Sequence, residues 1–442
     1  MKVRYSNNIN AFGGVNFVLQ EFDKLKIGNI LYDNLPSLSP KSSYSWRDIF
    51  YSFSSIYFCG GNCMEDAKTI LANQFGSNPI FNLCSPDTLL RRMGDLCTDQ
   101  LLCNTKRGNV EHQYNINQTM TDMNIKLLKK LGEFNKDEVV LDYDNTIIFT
   151  EKEGCKMTYK RDYGYQPGVG ILNEQNVLYI ENRNGNSDAK AFQLDTLERM
   201  FQHLKDNNIS RIDKFRADAA SYQYDVVKLV EKNVTSFYIG ARNSYVEKYF
   251  ALIEDWIKTK DQTGEDVYIG EIEYRPFAQQ GNRDNKYRLL VKKKLRKDGQ
   301  LNMFTNESYD YHAIVTNDFS SSLDEAIKCY NRRGACEKQF DILKNDFGWN
   351  YLPFSNLSKN TVFLYFSAIC RNLYNVVISN LSKVYKNVNI HYRMKRFIFN
   401  FIAIPAVWKK ASRQWYLRGI RQNTSASIRS QKNCNKSSLR QG

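Results

Sequence analysis

The chain has 442 residues, 42% hydrophobic and 13% aromatic, with 62 Lys or Arg against 47 Asp or Glu. That length suits two or three domains, and that composition excludes a chain disordered throughout. The formal net charge of +15 points to an acidic partner.

Taken in chain order, 1–12 lacks the apolar core of a signal peptide. Residues 1–130 are expected to be mainly helical. One short helix is predicted over 65–75, followed by a Gly-Ser-Asn-Pro turn at 76–79. A second starts sharply, with Ser85 as N-cap, Pro86 in the first helical position and Asp87 in the first turn. The two could form a helix-turn-helix that brings Arg91 and Arg92 to DNA, but their connection is longer than such a turn needs. A plain helix pair is the alternative.

Residues 138–143 are apolar and β-branched and predict a buried strand. Strands at 169–172 and 177–181 flank an Asn-Glu-Gln-Asn turn. A helix over 189–205 carries Leu197, Met200, Phe201 and Leu204 on one face. A strand at 211–215, a helix at 221–232 and a strand at 236–240 follow. The order is three strands, helix, strand, helix, strand. From about 245 to 320 the pattern turns β-rich, with strands at 267–274, 287–293 and 311–315. One long helix is predicted over 323–345, closed by Gly348.

The ten cysteines show no regular spacing. Cys59 and Cys63 are close, as are Cys97 and Cys103, but no histidine pair completes a zinc pattern. Reduced thiols are expected. The most apolar stretch, 361–370, is too short to span a bilayer and is followed by Arg371. These features make a soluble, cytoplasmic protein the expectation, with no membrane partner.

The charge is unevenly placed. No acidic residue follows Asp346, and 351–442 holds 16 Lys or Arg. The rest of the chain holds 46 basic and 47 acidic residues. A one-signed segment faces a polyanion or solvent, and nucleic acid is the polyanion that suits it. Tyr392, Phe397, Trp408, Trp415 and Tyr416 are interleaved with the cations and predict a folded surface. Only 423–442, rich in Ser, Asn and Gln, reads as a disordered tail.

Three acidic positions stand out. Asp142 and Asp144 follow a buried strand and share one of its faces. A carboxylate leaving a core strand is costly unless it binds something, although Asp-Asn-Thr also favours a turn. Asp218 sits just past the fourth strand, where ligands gather. It could instead cap the next helix, but Ser221 is the better cap. On the predicted long helix, Tyr330, Arg333, Glu337 and Lys344 fall within an arc of about 60° at 100° per residue. A solvated face with Arg333 paired to Glu337 is the alternative. Carboxylates on separate elements can hold two Mg²⁺ ions, which suits phosphoryl transfer on DNA.

Tyr330, Arg333, Glu337 and Lys344 match the Y-x2-R-x3-E-x6-K motif of one large branch of bacterial DDE transposases. Asp-Asn-Thr after the first strand, Arg-Ala-Asp after the fourth and the β-rich stretch before the glutamate also resemble that branch. The resemblance covers about 130–420. It implies an α/β fold with an RNase H-like catalytic core, in which the acids lie on the first strand, after the fourth strand and on a later helix. The domains expected are a helical N-terminal DNA-binding region (1–130), the first part of the core (131–245), a β-rich insertion (246–320), the catalytic helix (321–350), a basic helical C-terminal region (351–422) and the tail.

By the same resemblance, Asp144, Asp218 and Glu337 are the catalytic acids and metal ligands, with Asp142 as the alternative first ligand. Tyr330, Arg333 and Lys344 hold transposon-end DNA. The implied activity is metal-dependent strand cleavage and strand transfer at insertion-sequence ends, by cut-and-paste and with a hairpin intermediate in the family. The cofactors are two divalent ions, Mg²⁺ with Mn²⁺ as the alternative. The implied partners are double-stranded DNA, as ends and target, and a second copy of the chain in a homodimer on DNA. The rivals are a non-catalytic DNA-binding protein or repressor derived from a transposase, and a stand-alone nuclease. Two further stretches are open. Arg183, in 181–186, belongs to a turn or reaches DNA, and Tyr159, Lys160, Arg161, Tyr163 and Tyr165 form a solvated loop or contact DNA ends.

Overall fold

The computed structural model describes residues 9–76, 78–104, 110–187, 190, 192–261, 263–277 and 285–419. The expected tail at 423–442 lies outside the described residues. The chain divides into two compact units, one of Met1–Thr98 with Ile342–Gly442, the other of Asp99–Asp341.

The first unit is built on helices. In chain order they are α1 (Val15–Lys24), α2 (Ile27–Asn34), α3 (Trp46–Phe58), the short α4 (Ala72–Phe75) preceded by a π-turn at Ala67–Leu71, and α5 (Pro86–Gly94). Ser45 and Asp48 close a reciprocal capping box at the start of α3. Ser85 caps α5 as predicted, its side chain accepting from the Thr88 N–H, with Pro86 at the first helical position. The later part of the unit adds a 28-residue helix, Leu357–Val384. By length and composition it is apolar enough to cross a membrane, and its most apolar window is 89% buried in the folded chain. The expectation had stopped at 361–370, because isolated polar residues hide how far the apolar surface runs. Asn360, Thr361, Ser367 and Asn372 are all buried within it.

The second unit is mixed α/β. Its strands are β1 (Leu101–Asn104), β2 (Glu111–Asn115), β3 (Val140–Asn145), β4 (Ile148–Phe149), β5 (Lys156–Met157), β6 (Tyr163–Tyr165), β7 (Gly168–Leu172), β8 (Asn176–Arg183), β9 (Lys214–Ala217), β10 (Ser236–Ala241), β11 (Ile257–Lys260), β12 (Asp266–Tyr274), β13 (Tyr287–Leu295) and β14 (Tyr309–Thr316). Eleven form one sheet in the order β1-β2-β8-β7-β3-β9-β10-β14-β13-β12-β11, while β4, β6 and β5 make a small separate one. Neighbours β3, β7 and β8 are antiparallel, and β9 runs parallel to both β3 and β10. The turn between β7 and β8 has Asn173 and Glu174 at positive φ, the backbone a tight hairpin needs.

Side-chain parity divides the sheet into two faces. Leu141, Tyr143, Phe215, Ala217, Phe237 and Ile239 enter one large core with Leu128 of α6 (Gln118–Lys130), Leu197, Met200 and Leu204 of α7 (Gln193–Asp206), and Val226, Val227 and Val230 of α8 (Tyr224–Asn233). A short helix, α9 (Asn243–Val246), precedes β11. The intervening Tyr238 enters a smaller core with Ile269, Leu290 and Ile314. Ala326, Ile327 and Cys329 close that core from α10 (Leu323–Asn331).

The structure adds detail to two expectations and corrects two others. Residues 1–130 are mainly helical, as expected, and also hold β1 and β2, which pair with each other while β2 joins β8. The 246–320 segment is β-rich, as expected, and β14 pairs with β10 and carries β13, β12 and β11 as a continuation of the main sheet. The long helix over 323–345 is two helices, α10 and α11 (Ala335–Asp346), joined by a 3₁₀ turn at Arg332–Gly334. Gly334, a poor helix former, sits in that turn. Gly348, at φ +80°, follows α11 as expected. The C-terminal region, in the first unit, contains α12 (Leu357–Val384) and α13 (Met394–Phe397) but ends in a hairpin. Its strands are β15 (Ala406–Ala411) and β16 (Gln414–Gly419). Val407, Trp408, Trp415 and Tyr416 favour strand over helix.

Candidate active site

The register of three parallel strands builds the site. Asp142 on β3 lies opposite Arg216 on β9, and Arg216 lies opposite Tyr238 on β10. One parity step on, the same offsets bring Asp144, Asp218 and Gly240 abreast. All six residues project to the face that α10 covers.

The inner row is structural. Asp142 is fully buried, and both its carboxylate oxygens accept from Arg216, Oδ1 from Nε at 2.5 Å and Oδ2 from Nη2 at 2.6 Å. Arg216 Nη1 also donates to Glu174 Oε1 at 3.0 Å and to the Cys329 carbonyl at 2.8 Å. One guanidinium therefore ties β3, the β7–β8 turn and the end of α10 together. It also occupies both oxygens of Asp142, the alternative first ligand.

The outer row is half-buried and carries the carboxylates not tied up by Arg216. Asp144 Oδ1 accepts from the Asn145 N–H at 2.8 Å and Oδ2 from Arg333 Nη1 at 3.0 Å. Burial, and then the negative charge of Asp218, lift the Asp144 carboxyl to about 6. Asp218 Oδ1 accepts from the Ala220 N–H at 3.0 Å and so caps the 3₁₀ turn Ala219–Ser221. Asp218, not Ser221, is therefore the cap there. Ser221 is buried and bonds Gln193 through its hydroxyl, while Gln223 occupies the N-cap position of α8. Capping uses one oxygen of Asp218.

Above this row sits the first part of the Tyr-Arg-Glu-Lys motif. Burial opposes the charge on Arg333, but Tyr330, Asp144 and Asp218 outweigh it and hold its pKa above the usual value. The Arg333 guanidinium lies 5.9 Å from the centre of the Tyr330 ring. Burial raises the Tyr330 hydroxyl and keeps it a neutral phenol. That hydroxyl rests over Gly240, where a Cβ would come within 2.5 Å of it and 3.1 Å of the Ala219 nitrogen. Gly240 is thus a site residue that composition and spacing did not reveal. Its only signal was its place at the end of the strand following Asp218.

Glu337 is exposed on the first turn of α11. Its neighbour Cys336 is buried, and the charges of Asp142 and Asp144 act with burial to raise its thiol. The inward face of α11 at this level is therefore that of Cys336. Among the described residues no group of three His, Cys, Asp or Glu side chains gathers where it could hold a metal ion. The structure brings Asp144, Asp218, Tyr330 and Arg333 together, and Glu337 is exposed on α11. Lys344 is half-buried further along α11, within the other unit. Arg333 is paired with Asp144 rather than with Glu337.

Of the two open stretches, Arg183 is internal. It is buried, pairs with Glu181 at 3.1 Å and bonds Thr196. Tyr159 is exposed beside the turn at Arg161, whereas Tyr165 is buried and donates to the Glu153 carbonyl at 2.6 Å.

As a donor set, Asp144 and Asp218 suit a hard cation. They stand at the ends of adjacent strands, and the charge of Asp218 that helps lift the Asp144 carboxyl is what a divalent ion would offset. They are two acids of the expected three.

Comparison with known proteins adds the family. No functionally curated protein matches the chain. Among solved structures, a piggyBac transposase synaptic complex with hairpin DNA, determined by cryo-EM, is similar at 11% identity and a TM-score of 0.42, over 87% of this chain and 76% of that one. The model of the family described as transposase DDE domain group 1 matches residues 9–421. That match takes in nearly the whole sequence, from before α1 to beyond β16, and the chain therefore belongs to the transposase DDE family.

Proposed function

We propose that the protein is a metal-dependent transposase that cuts DNA at the ends of its element and joins those ends to a target. The observation that carries it is the Asp144–Asp218 pair, held at the ends of two adjacent parallel strands with Arg333 against it, in a chain of the DDE family. DDE transposases generally use divalent metal ions. The strand sequence β3, β7, β8, β9, β10, with helices before β9 and β10, supports an RNase H-like core. Residues 131–245 and 321–350 would form it. Residues 246–320 would be an insertion continuous with its sheet, and 1–130 and 351–422 would be flanking DNA-binding regions.

In this proposal Asp144, Asp218 and Glu337 hold two divalent ions, Mg²⁺ or Mn²⁺. When bound, the ions would supply Lewis acidity to the attacking and leaving oxygens. Asp144 and Asp218 orient them with hard oxygens. Arg333, the counter-charge of Asp144, would also serve as a phosphate donor through its remaining N–H groups. Lys344 adds a point charge for DNA, and Tyr330 fixes Arg333 from beneath. Water opens a phosphodiester at the element end, leaving a 3′-hydroxyl. That hydroxyl attacks a target phosphodiester and displaces its 3′-oxygen. Bringing two ends together calls for a homodimer on duplex DNA.

The test is cleavage and joining of the DNA that borders the reading frame, with Mg²⁺, by Asp144→Asn, Asp218→Asn and Glu337→Gln proteins. Each is expected to lose on the order of a thousandfold in rate, in line with several kcal/mol of lost charge stabilisation. Full activity in any one removes that residue from the site.

A second reading, a DNA-binding protein without catalysis, draws support from the exposed position of Glu337 and the two-acid cluster. Metal-dependent nicking of end DNA by the unaltered chain rejects it.

A further inference from the structure

We propose that the β15–β16 hairpin is a wing that enters a groove of duplex DNA. The inference rests on the proposed DNA-transposing function and adds a place of contact to it. The hairpin carries Lys409, Lys410, Arg413 and Arg418 and no acidic residue between Ala406 and Gly419. Among the described residues none of these four cations is paired with a carboxylate. The base of the hairpin is anchored, since Asn10 and Ala406 exchange backbone hydrogen bonds of 2.8 Å in both directions. Beyond that base, β15 and β16 pair only with each other. Residues 409–416 are exposed throughout, with Trp415 and Tyr416 each 46% exposed.

An isolated two-stranded hairpin is marginal in water and adds little to a core. This one also closes on a costly turn, with Ser412 at φ +48° and Arg413 at φ +64°. Left-handed backbone costs a non-glycine residue about 1–2 kcal/mol. Fold stability explains neither the long exposed arm nor an arginine at its strained tip. A ligand does.

The register shows which ligand. Lys409 lies opposite Tyr416 and Val407 opposite Arg418, on one face. Lys410 lies opposite Trp415 and Trp408 opposite Leu417, on the other. The Lys410 ammonium stands 5.8 Å from the Trp415 ring centre. Cations mixed with aromatics therefore point to both sides of the ribbon and forward from its tip. A membrane surface calls for one apolar and one charged face. A groove flanked by two phosphate backbones calls for charge on both faces, and the major groove, about 12 Å wide, admits a two-stranded ribbon.

The experiment uses the full chain and a mixed-sequence duplex, with affinity measured across a salt series. Lys409→Gln, Lys410→Gln, Arg413→Gln and Arg418→Gln are combined in one protein. A control neutralises four exposed lysines of the second unit, Lys205→Gln, Lys258→Gln, Lys260→Gln and Lys297→Gln. Each phosphate contact contributes about 0.9 to the slope of log affinity against log salt. The hairpin protein is expected to lose about three to four from that slope and at least tenfold in affinity at low salt. The control is expected to stay within twofold of the unaltered chain. If the fourfold variant does not fold, Lys409→Gln with Lys410→Gln is expected to remove about two from the slope. An unchanged slope, or an equal loss in the control, overturns the wing while leaving the DNA-transposing function intact. So does unchanged duplex binding with lost binding to phosphatidylcholine–phosphatidylserine vesicles, or a loss confined to single-stranded oligonucleotides. An unaltered chain that binds no duplex overturns both.

Discussion

Asp144 must ionise where its surroundings oppose it. Burial and the Asp218 charge lift its carboxyl to about 6, against about 3.9 in an unfolded chain. Between about pH 4 and 6 the folded protein therefore binds more protons than the unfolded one, and stability falls as pH rises through that window. Above it the cost is complete, on the order of 3 kcal/mol. With a chelator present, Asp144→Asn is expected to melt higher than the unaltered chain at pH 7 and alike near pH 4. Mg²⁺ is expected to raise the melting temperature of the unaltered chain at pH 7, and not that of the Asp144→Asn/Asp218→Asn protein. A melting temperature indifferent to both chelator and Mg²⁺ would count against a cation at this pair. The residue types of this site were legible from sequence, because a carboxylate leaving a core strand demands an explanation. Which of Asp142 and Asp144 is internal was not legible. That depends on Arg216, 74 positions on, and only strand pairing makes them neighbours.

At the scale of elements, the Asp142–Arg216 pair fixes the offset that brings Asp144 abreast of Asp218, and Arg216 fastens α10 through the Cys329 carbonyl. A buried pair broken on one side leaves an uncompensated charge, at a cost of about 3–5 kcal/mol, whereas replacing both partners with apolar groups is often neutral. Arg216→Met is expected to show that loss in urea unfolding, and Asp142→Leu/Arg216→Met to recover most of it. Strand cleavage is expected to stay impaired in the double variant, because the tie to α10 is gone. Equal stability of the single and double variants would mean that Asp142 is not held as a buried charge. The elements themselves were largely legible. Apolar runs and helical stripes located β3, β7, β8, β9, β10 and α7, since each buries a regular face. The break between α10 and α11 was not. Three residues at about 120° instead of 100° rotate α11 by about 60° relative to a continuous helix. A uniform helix put Cys336 well off the stripe of Tyr330 and Arg333; the 3₁₀ turn swings it toward them, and Glu337 is exposed on the first turn of α11.

At the scale of the whole chain, the charge surplus and the Asp144–Asp218 pair belong to different units. The unit of Met1–Thr98 and Ile342–Gly442 carries 26 Lys or Arg against 9 Asp or Glu, and the unit of Asp99–Asp341 carries 36 against 38. The surplus was visible in the sequence as a run without acids after Asp346. That it belongs to a different unit from Asp144 and Asp218 was not, because the first unit is assembled from both ends of the chain. Counterion release by clustered cations dominates affinity for duplex DNA. Binding should therefore depend on the first unit and survive loss of the acids. In a chelator, Asp144→Asn/Asp218→Asn is expected to bind a mixed-sequence duplex with an unchanged salt slope. Its affinity should rise by up to about thirtyfold, since about 1 kcal/mol of repulsion disappears at each of the two acids. The same protein is expected to cleave nothing when Mg²⁺ is restored. Affinity that fell together with cleavage would show that the acids themselves hold the DNA, and the separation of binding from chemistry between the two units would be wrong.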